Sequence, residues 1–84
     1  MILIVESVVV NFGDKLISVI LRRADGRVYE GVLHIVESRG IVGLQGLEKI
    51  LEDMDEEIFG VLLPKLIFKI LRGEVINFPH ELKC

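Results

Sequence analysis

Two glutamates are the residues of this sequence whose spacing comes nearest to acid–base catalysis. Glu6 and Glu30 fall on the first and third predicted strands, on one face of the sheet and roughly 10 Å apart. Two carboxylates at such a separation flank the substrate in some hydrolases. Pairing of these glutamates with Arg23 is the simpler interpretation, so the sequence does not predict a catalytic centre here.

The histidines and the cysteine offer little more chemistry. His34 lies within a predicted strand opposite Ile17, as structural histidines often do. His80 and Cys84 have the spacing of a metal-ligand pair on a helix, but Pro79 and the chain end favour a frayed tail. No serine or cysteine lies in a nucleophile motif, and the glycines of "RGIVGLQG" do not match a phosphate-binding loop. We therefore predict no enzyme activity, no cofactor and no metal site.

Three arginines and a tyrosine form the strongest candidate binding site. The stretch "RRADGR" places Arg22, Arg23 and Arg27 at the tip of a predicted hairpin, and the expected register sets Arg22 opposite Tyr29. Arginines hold phosphates, and an aromatic ring stacks on an unpaired base. The leading hypothesis is therefore a single-stranded nucleic-acid-binding module that uses these four side chains.

The chain is acidic overall, which favours an alternative hypothesis. Its net charge is −3. The run "EDMDEE" is typical of a solvated helix junction, and it is also a candidate docking site for a basic protein partner. The arginines then only keep the hairpin tip in water, with Arg22 covering the ring of Tyr29. Under this alternative the protein is an adaptor or assembly subunit with no nucleic-acid role.

The first half of the chain is typical of β-strands. Runs rich in β-branched residues occupy residues 2–12, 15–23 and 27–37, separated by Gly13-Asp14 and by Asp25-Gly26. Asp-Gly between two such runs favours a two-residue type I′ turn, and Gly-Asp is compatible with type II′. A three-stranded antiparallel meander follows. Both of its faces are mainly apolar, so both should be covered; we expect the helices on the shallower face, which carries Ser7, Ser18 and Gly31.

The second half has helical periodicity. Residues 43–54 place apolar side chains at i, i+3, i+4 spacing, and Asp55 then provides an N-cap for a second helix that ends near Arg72, with Gly73 as its C′ residue. Pro64 should kink or break that helix. A short last strand is predicted over residues 74–78, which Pro79 closes. The predicted fold is one α+β domain, residues 1–84, with the order βββααβ.

The second predicted helix is apolar around most of its circumference. Lys65, Lys69 and Arg72 form one narrow basic stripe, and large apolar residues fill the remainder. A helix packed only on its own sheet needs an apolar arc of about 100°, and this arc is roughly twice that width. We therefore expect an oligomer interface formed by Phe59, Leu63, Ile67, Phe68, Ile70 and Leu71.

Composition supports self-association. The AVILMFWYC residues make up 51% of the 84 positions, and the polar remainder can hardly cover a chain of this size. Most soluble oligomers are symmetric homo-oligomers, so a homodimer is the expected form. The longest apolar run is too short to span a membrane, and no signal peptide is evident, which indicates a cytoplasmic protein. The near absence of Thr, Ala, Gln and Asn resembles hyperthermophile usage.

Overall fold

The protein is an antiparallel five-stranded sheet that curls around one helix in its described part. The computed structural model describes residues 2–46, 49 and 59–83. In chain order the elements are β1 (Ile2–Asn11), β2 (Leu16–Arg23), β3 (Val28–Ser38), β4 (Ile41–Gln45), α1 (Phe59–Leu71) and β5 (His80–Lys83). The sheet order is β4-β3-β2-β1-β5. The meander of β1, β2 and β3 is confirmed, whereas the predicted order βββααβ is wrong.

The first hairpin has a longer loop than predicted. The last pair of β1 and β2 joins Asn11 to Leu16, so four residues form the loop instead of Gly13-Asp14 alone. The Asn11 side-chain oxygen accepts a hydrogen bond from the Asp14 N–H at 3.1 Å, and Lys15 has a φ of 55°. Lengthening the loop by two residues keeps the predicted register. A shift at Glu6 then moves Leu3 and Val5 onto the face that carries Val8 and Val10.

The second hairpin turns at the predicted place but in another geometry. The Gly26 N–H donates to the Arg23 carbonyl at 3.0 Å, and the Arg23 N–H donates to the Arg27 carbonyl at 2.9 Å. Gly26 has a positive φ of 90°, whereas Asp25 is not among the residues with positive φ. This is a three-residue loop with a glycine bulge, not a type I′ turn. The register of β3 therefore slips by one residue and exchanges its faces.

A fourth strand replaces the start of the predicted first helix. Ser38 pairs with Ile41, and both residues between them have positive φ, Arg39 at 52° and Gly40 at 77°. Two such residues define a type I′ turn, so Gly40 closes a hairpin. The predicted helix over 43–54 is wrong at residues 43–45. Residues 47, 48 and 50–58, including the predicted N-cap at Asp55, lie outside the described residues.

Helix α1 ends as predicted, but Pro64 does not break it. The helix runs from Phe59 to Leu71 with Pro64 inside. After it, the Gly73 N–H donates to the Ile70 carbonyl and the Glu74 N–H donates to the Lys69 carbonyl, while Gly73 has a φ of 94°. These are the two bonds of a Schellman motif, so the assignment of Gly73 as C′ is confirmed.

The last strand lies beyond the predicted one. Residues 74–78 form no regular element, and β5 begins at His80, after a cis Phe78–Pro79 peptide bond. It pairs antiparallel with the beginning of β1, Leu3 opposite Leu82. Pro79 therefore precedes the strand instead of closing it, and the predicted frayed tail is wrong at residues 80–83.

The core lies between α1 and the face of the sheet that we term the helix side. The prediction that the helices cover the face with Ser18 is wrong. Helix α1 covers the other face, on which β2 carries larger apolar side chains. Its buried residues are Leu3, Val5, Ile17, Val19, Leu21, Leu33, Leu63, Leu66, Ile67 and Leu82. Among the described residues, no helix combines the length and apolar composition needed to cross a bilayer.

Candidate interaction surfaces

The basic hairpin tip does not bring its predicted residues together. Tyr29 pairs with Leu21, and Arg22 pairs with Val28. Tyr29 is therefore on the helix side, where it is partly buried and packs against the core. Arg22 projects from the other face. The expected contact between Arg22 and Tyr29 is wrong because the three-residue loop shifts the register by one.

Carboxylates lie next to Arg22 and Arg27 at the hairpin tip. The Arg22 Nε donates to Glu6 Oε1 at 2.6 Å, and the Arg27 Nε lies 3.7 Å from Asp25 Oδ2. Glu6 therefore forms an ion pair with Arg22. Both ion pairs are solvent-exposed, so each holds its arginine only weakly. The nucleic-acid hypothesis stays a prediction, without the aromatic platform that the sequence suggested.

The residues predicted to form a helix interface mostly serve the core of a single chain. Leu63 and Ile67 are fully buried within it and are not available to a partner. Ile70 and Leu71 are partly buried against the same core. Of the other two, Phe68 is half-buried, and the side chain of Phe59 is outside the described part. Much of the wide apolar arc is therefore buried or partly buried within one chain.

The face of the sheet opposite α1, which we term the open face, exposes large apolar side chains. Val9, Ser18 and Val32 lie in one row across β1, β2 and β3. Val9 is 62% exposed and Val32 is 50% exposed. The half-buried Leu16 and Ile20 lie on either side of Ser18 along β2. An antiparallel sheet with one solvated face normally carries polar residues there.

Polar residues lie toward both ends of this apolar centre. The Arg22–Glu6 ion pair and Glu30 lie toward one end of the open face, and His34 lies toward the other, opposite Leu16. An apolar centre within a polar rim is the usual anatomy of a protein–protein interface. Both faces of the sheet are apolar, as predicted, but helix α1 covers the face opposite to the predicted one.

The two edges of the sheet differ in charge. Strand β5 carries Glu81 and Lys83, which are exposed and form an ion pair at 3.7 Å. Strand β4, "IVGLQ", carries no charged residue and no proline, and Ile41 is 73% exposed. This strand was not predicted, since Arg39-Gly40 is not one of the usual dipeptides of a two-residue hairpin turn.

One cavity of about 310 Å³ opens beside the carboxyl end of α1. It is lined by Phe12, Lys15, Ile35, Glu37, Val42 and Leu71. Because the lining contains one amine and one carboxylate, it selects neither an anionic nor a cationic ligand.

The two histidines lie on different strands. His34 is exposed on β3 and His80 is half-buried on β5; Cys84 lies outside the described residues. Within residues 2–46, 49 and 59–83, no group of three His, Cys, Asp or Glu side chains is placed to hold a metal ion. The apolar surfaces are thus the features of this molecule with the clearest capacity for binding.

Comparison with known proteins finds no relative of this chain. No family model, curated protein or solved structure matches the chain. The surfaces of the molecule are therefore the basis for its proposed function.

Proposed function

We propose that this protein is a non-enzymatic assembly subunit that forms a homodimer through its open face. One observation carries the proposal: the outward side of an antiparallel sheet has an apolar centre in which Val9 and Val32 are at least half exposed. Contiguous exposed apolar surface of this kind usually marks an interface. Two sheets that pack face to face bury such side chains between them, about 10 Å apart.

The central row of the open face is self-complementary. Val9 and Val32 flank the small side chain of Ser18. A two-fold axis parallel to β2 sets Val9 of one copy against Val32 of the other, and it brings the two Ser18 side chains together. Serine hydroxyls both donate and accept hydrogen bonds, so this pair remains satisfied when the interface excludes water. A second copy is therefore the partner that this face fits.

The polar rim is compatible with the same symmetry. It contains both signs of charge, with Arg22 and Glu6 already paired at 2.6 Å within each copy. An arginine that is neutralised before association brings no unpaired charge to the edge of the interface, and the cost of desolvation stays small. The rim then orients the two copies while the valines contribute most of the binding energy.

Two matched variants test this proposal. Val32→Glu introduces a carboxylate into the centre of the open face, where a second copy would bury it without a partner. Val75→Glu makes the same change in the loop before β5, at a valine that is 88% exposed and off the face. We expect wild type and Val75→Glu to be dimers by light scattering, and Val32→Glu to be a folded monomer. Equal masses for all three proteins would contradict the proposal.

A further inference from the structure

We infer that strand β4 is a second contact surface, through which two copies of the chain join their sheets edge to edge. This inference extends the proposed assembly function, because it concerns association beyond the dimer formed by the open face. It rests on different residues, those of β4, and on the hydrogen-bonding groups of the backbone instead of side chains.

The outward-facing backbone groups of β4 can be assigned from the pairing with β3. Ser38 and Ile41 flank the two-residue turn, so they form a hydrogen-bonded pair, and such pairs alternate with non-hydrogen-bonded ones along the ladder. The Ile35 N–H donates to the Lys15 carbonyl at 2.9 Å, on the β2 side. Its partner on β4, Leu44, is therefore in a non-hydrogen-bonded pair. Hence Val42 and Leu44 direct their N–H and carbonyl groups to the free edge.

The edge is self-complementary in one antiparallel register. With a two-fold axis at Gly43, Val42 of one copy lies opposite Leu44 of the other, and the reverse pair forms by symmetry. Every outward N–H and carbonyl of these two residues then finds a partner. Gly43 meets its own copy at a non-hydrogen-bonded position, where the chains come closest, and the absence of a side chain leaves that approach free.

The contrast with the other edge indicates which strand associates. Proteins block unwanted edge pairing with charged residues, prolines and short strands. Strand β5 has all three features: it has four residues, follows Pro79, and bears the exposed Glu81 and Lys83. Strand β4 has neither charge nor proline. When one edge of a sheet is protected and the opposite edge is not, we expect the unprotected edge to be the one used for pairing.

Edge pairing also fixes how the open faces are arranged. In a continuous antiparallel sheet, residues directly opposite each other point to the same side. The open faces of two copies joined through β4 therefore look in the same direction. Each remains free to receive a further copy, so face and edge contacts together produce assemblies larger than a dimer.

Amide exchange in the wild-type protein tests the inference without a substitution. We expect the amides of Val42 and Leu44 to exchange quickly at about 20 μM protein and to become protected near 1 mM, because association is concentration-dependent. The amides of Ile41, Gly43 and Gln45, bonded to β3, serve as the internal control and should be protected at both concentrations. Fast exchange of Val42 and Leu44 at 1 mM would overturn the inference, and so would protection independent of concentration.

Two variants separate this inference from the proposed dimer. Val42→Pro removes one outward N–H per copy and leaves the bonds to β3 intact; it should raise the concentration needed for larger assemblies about thirtyfold, which corresponds to about 2 kcal/mol. Val42→Thr keeps the N–H and should leave that concentration unchanged. An unchanged assembly concentration in Val42→Pro would contradict edge pairing alone, whereas an unchanged dimer in Val32→Glu would contradict the open-face dimer alone.

Discussion

Replacing Val32 by glutamate should dissociate the dimer while leaving each chain folded. Val32 is 50% exposed in the single chain, so dimerisation buries the other half of a valine, about 1 kcal/mol per copy. A carboxylate in the same place adds a desolvation cost of at least about 1–3 kcal/mol per copy. Both copies carry the change, so association weakens by about 4–8 kcal/mol in total.

Sedimentation equilibrium measures this effect directly. A loss of about 4 kcal/mol raises the dissociation constant about a thousandfold, so a dimer with a micromolar dissociation constant becomes a monomer at about 20 μM protein. Circular dichroism tests whether the variant keeps its sheet, which we expect because Val32 is not one of the buried core residues. The reasoning is refuted if Val32→Glu sediments as wild type does, or if Val75→Glu dissociates equally.

The remaining predictions concern stability and the basic hairpin tip. Leu21→Ala, at a fully buried position, should lower the free energy of unfolding by about 2–5 kcal/mol in denaturant titrations, whereas the exposed Val61→Ala should change it little. Gly73→Ala forces a side chain into a φ of 94° and should cost about 1–2 kcal/mol in the same assay. By calorimetry, the melting temperature should exceed about 90 °C and rise with protein concentration, since dimerisation stabilises the folded chain; a concentration-independent value near 55 °C would contradict both parts. The nucleic-acid hypothesis is tested by titrating wild type with single-stranded oligonucleotides at about 50 mM salt: binding with a slope of log K against log salt near −2, flattened by Arg27→Ala, would support it, and no binding would leave the assembly function alone.

The sequence located the turns of the meander but not their geometry. Asp25-Gly26 marks a real hairpin, yet the glycine closes a bulged three-residue loop with only one positive φ. The difference of one residue exchanges the faces of β3, and it separates Arg22 from Tyr29. Local sequence does not decide between the two loops, because both place a glycine at the same position. Packing of Leu33 and Tyr29 on the helix side favours the observed register.

The second half of the chain shows where local signals suffice and where they fail. Gly73 specifies its own helix end, since the C′ position requires a left-handed conformation that glycine adopts freely. The sequence did not predict the short strands β4 and β5, because neither strand is stable alone. Strand β5 depends on β1 for its pairing, and such long-range contacts leave no period in so short a segment. A helical wheel shows the width of the apolar arc of α1 but not how much of it the same chain buries, so Leu63 and Ile67 were wrongly predicted to be available to a partner.

The contact between two open faces can be observed most directly by isotope-filtered NMR. A sample that mixes labelled and unlabelled wild-type chains reports only those methyl contacts that cross between copies. We predict intermolecular cross-peaks between the methyl groups of Val9 and Val32, which lie on different strands on either side of Ser18. A dimer whose only intermolecular cross-peaks involve residues of α1, or a wild-type protein that is monomeric at 1 mM, would contradict the account.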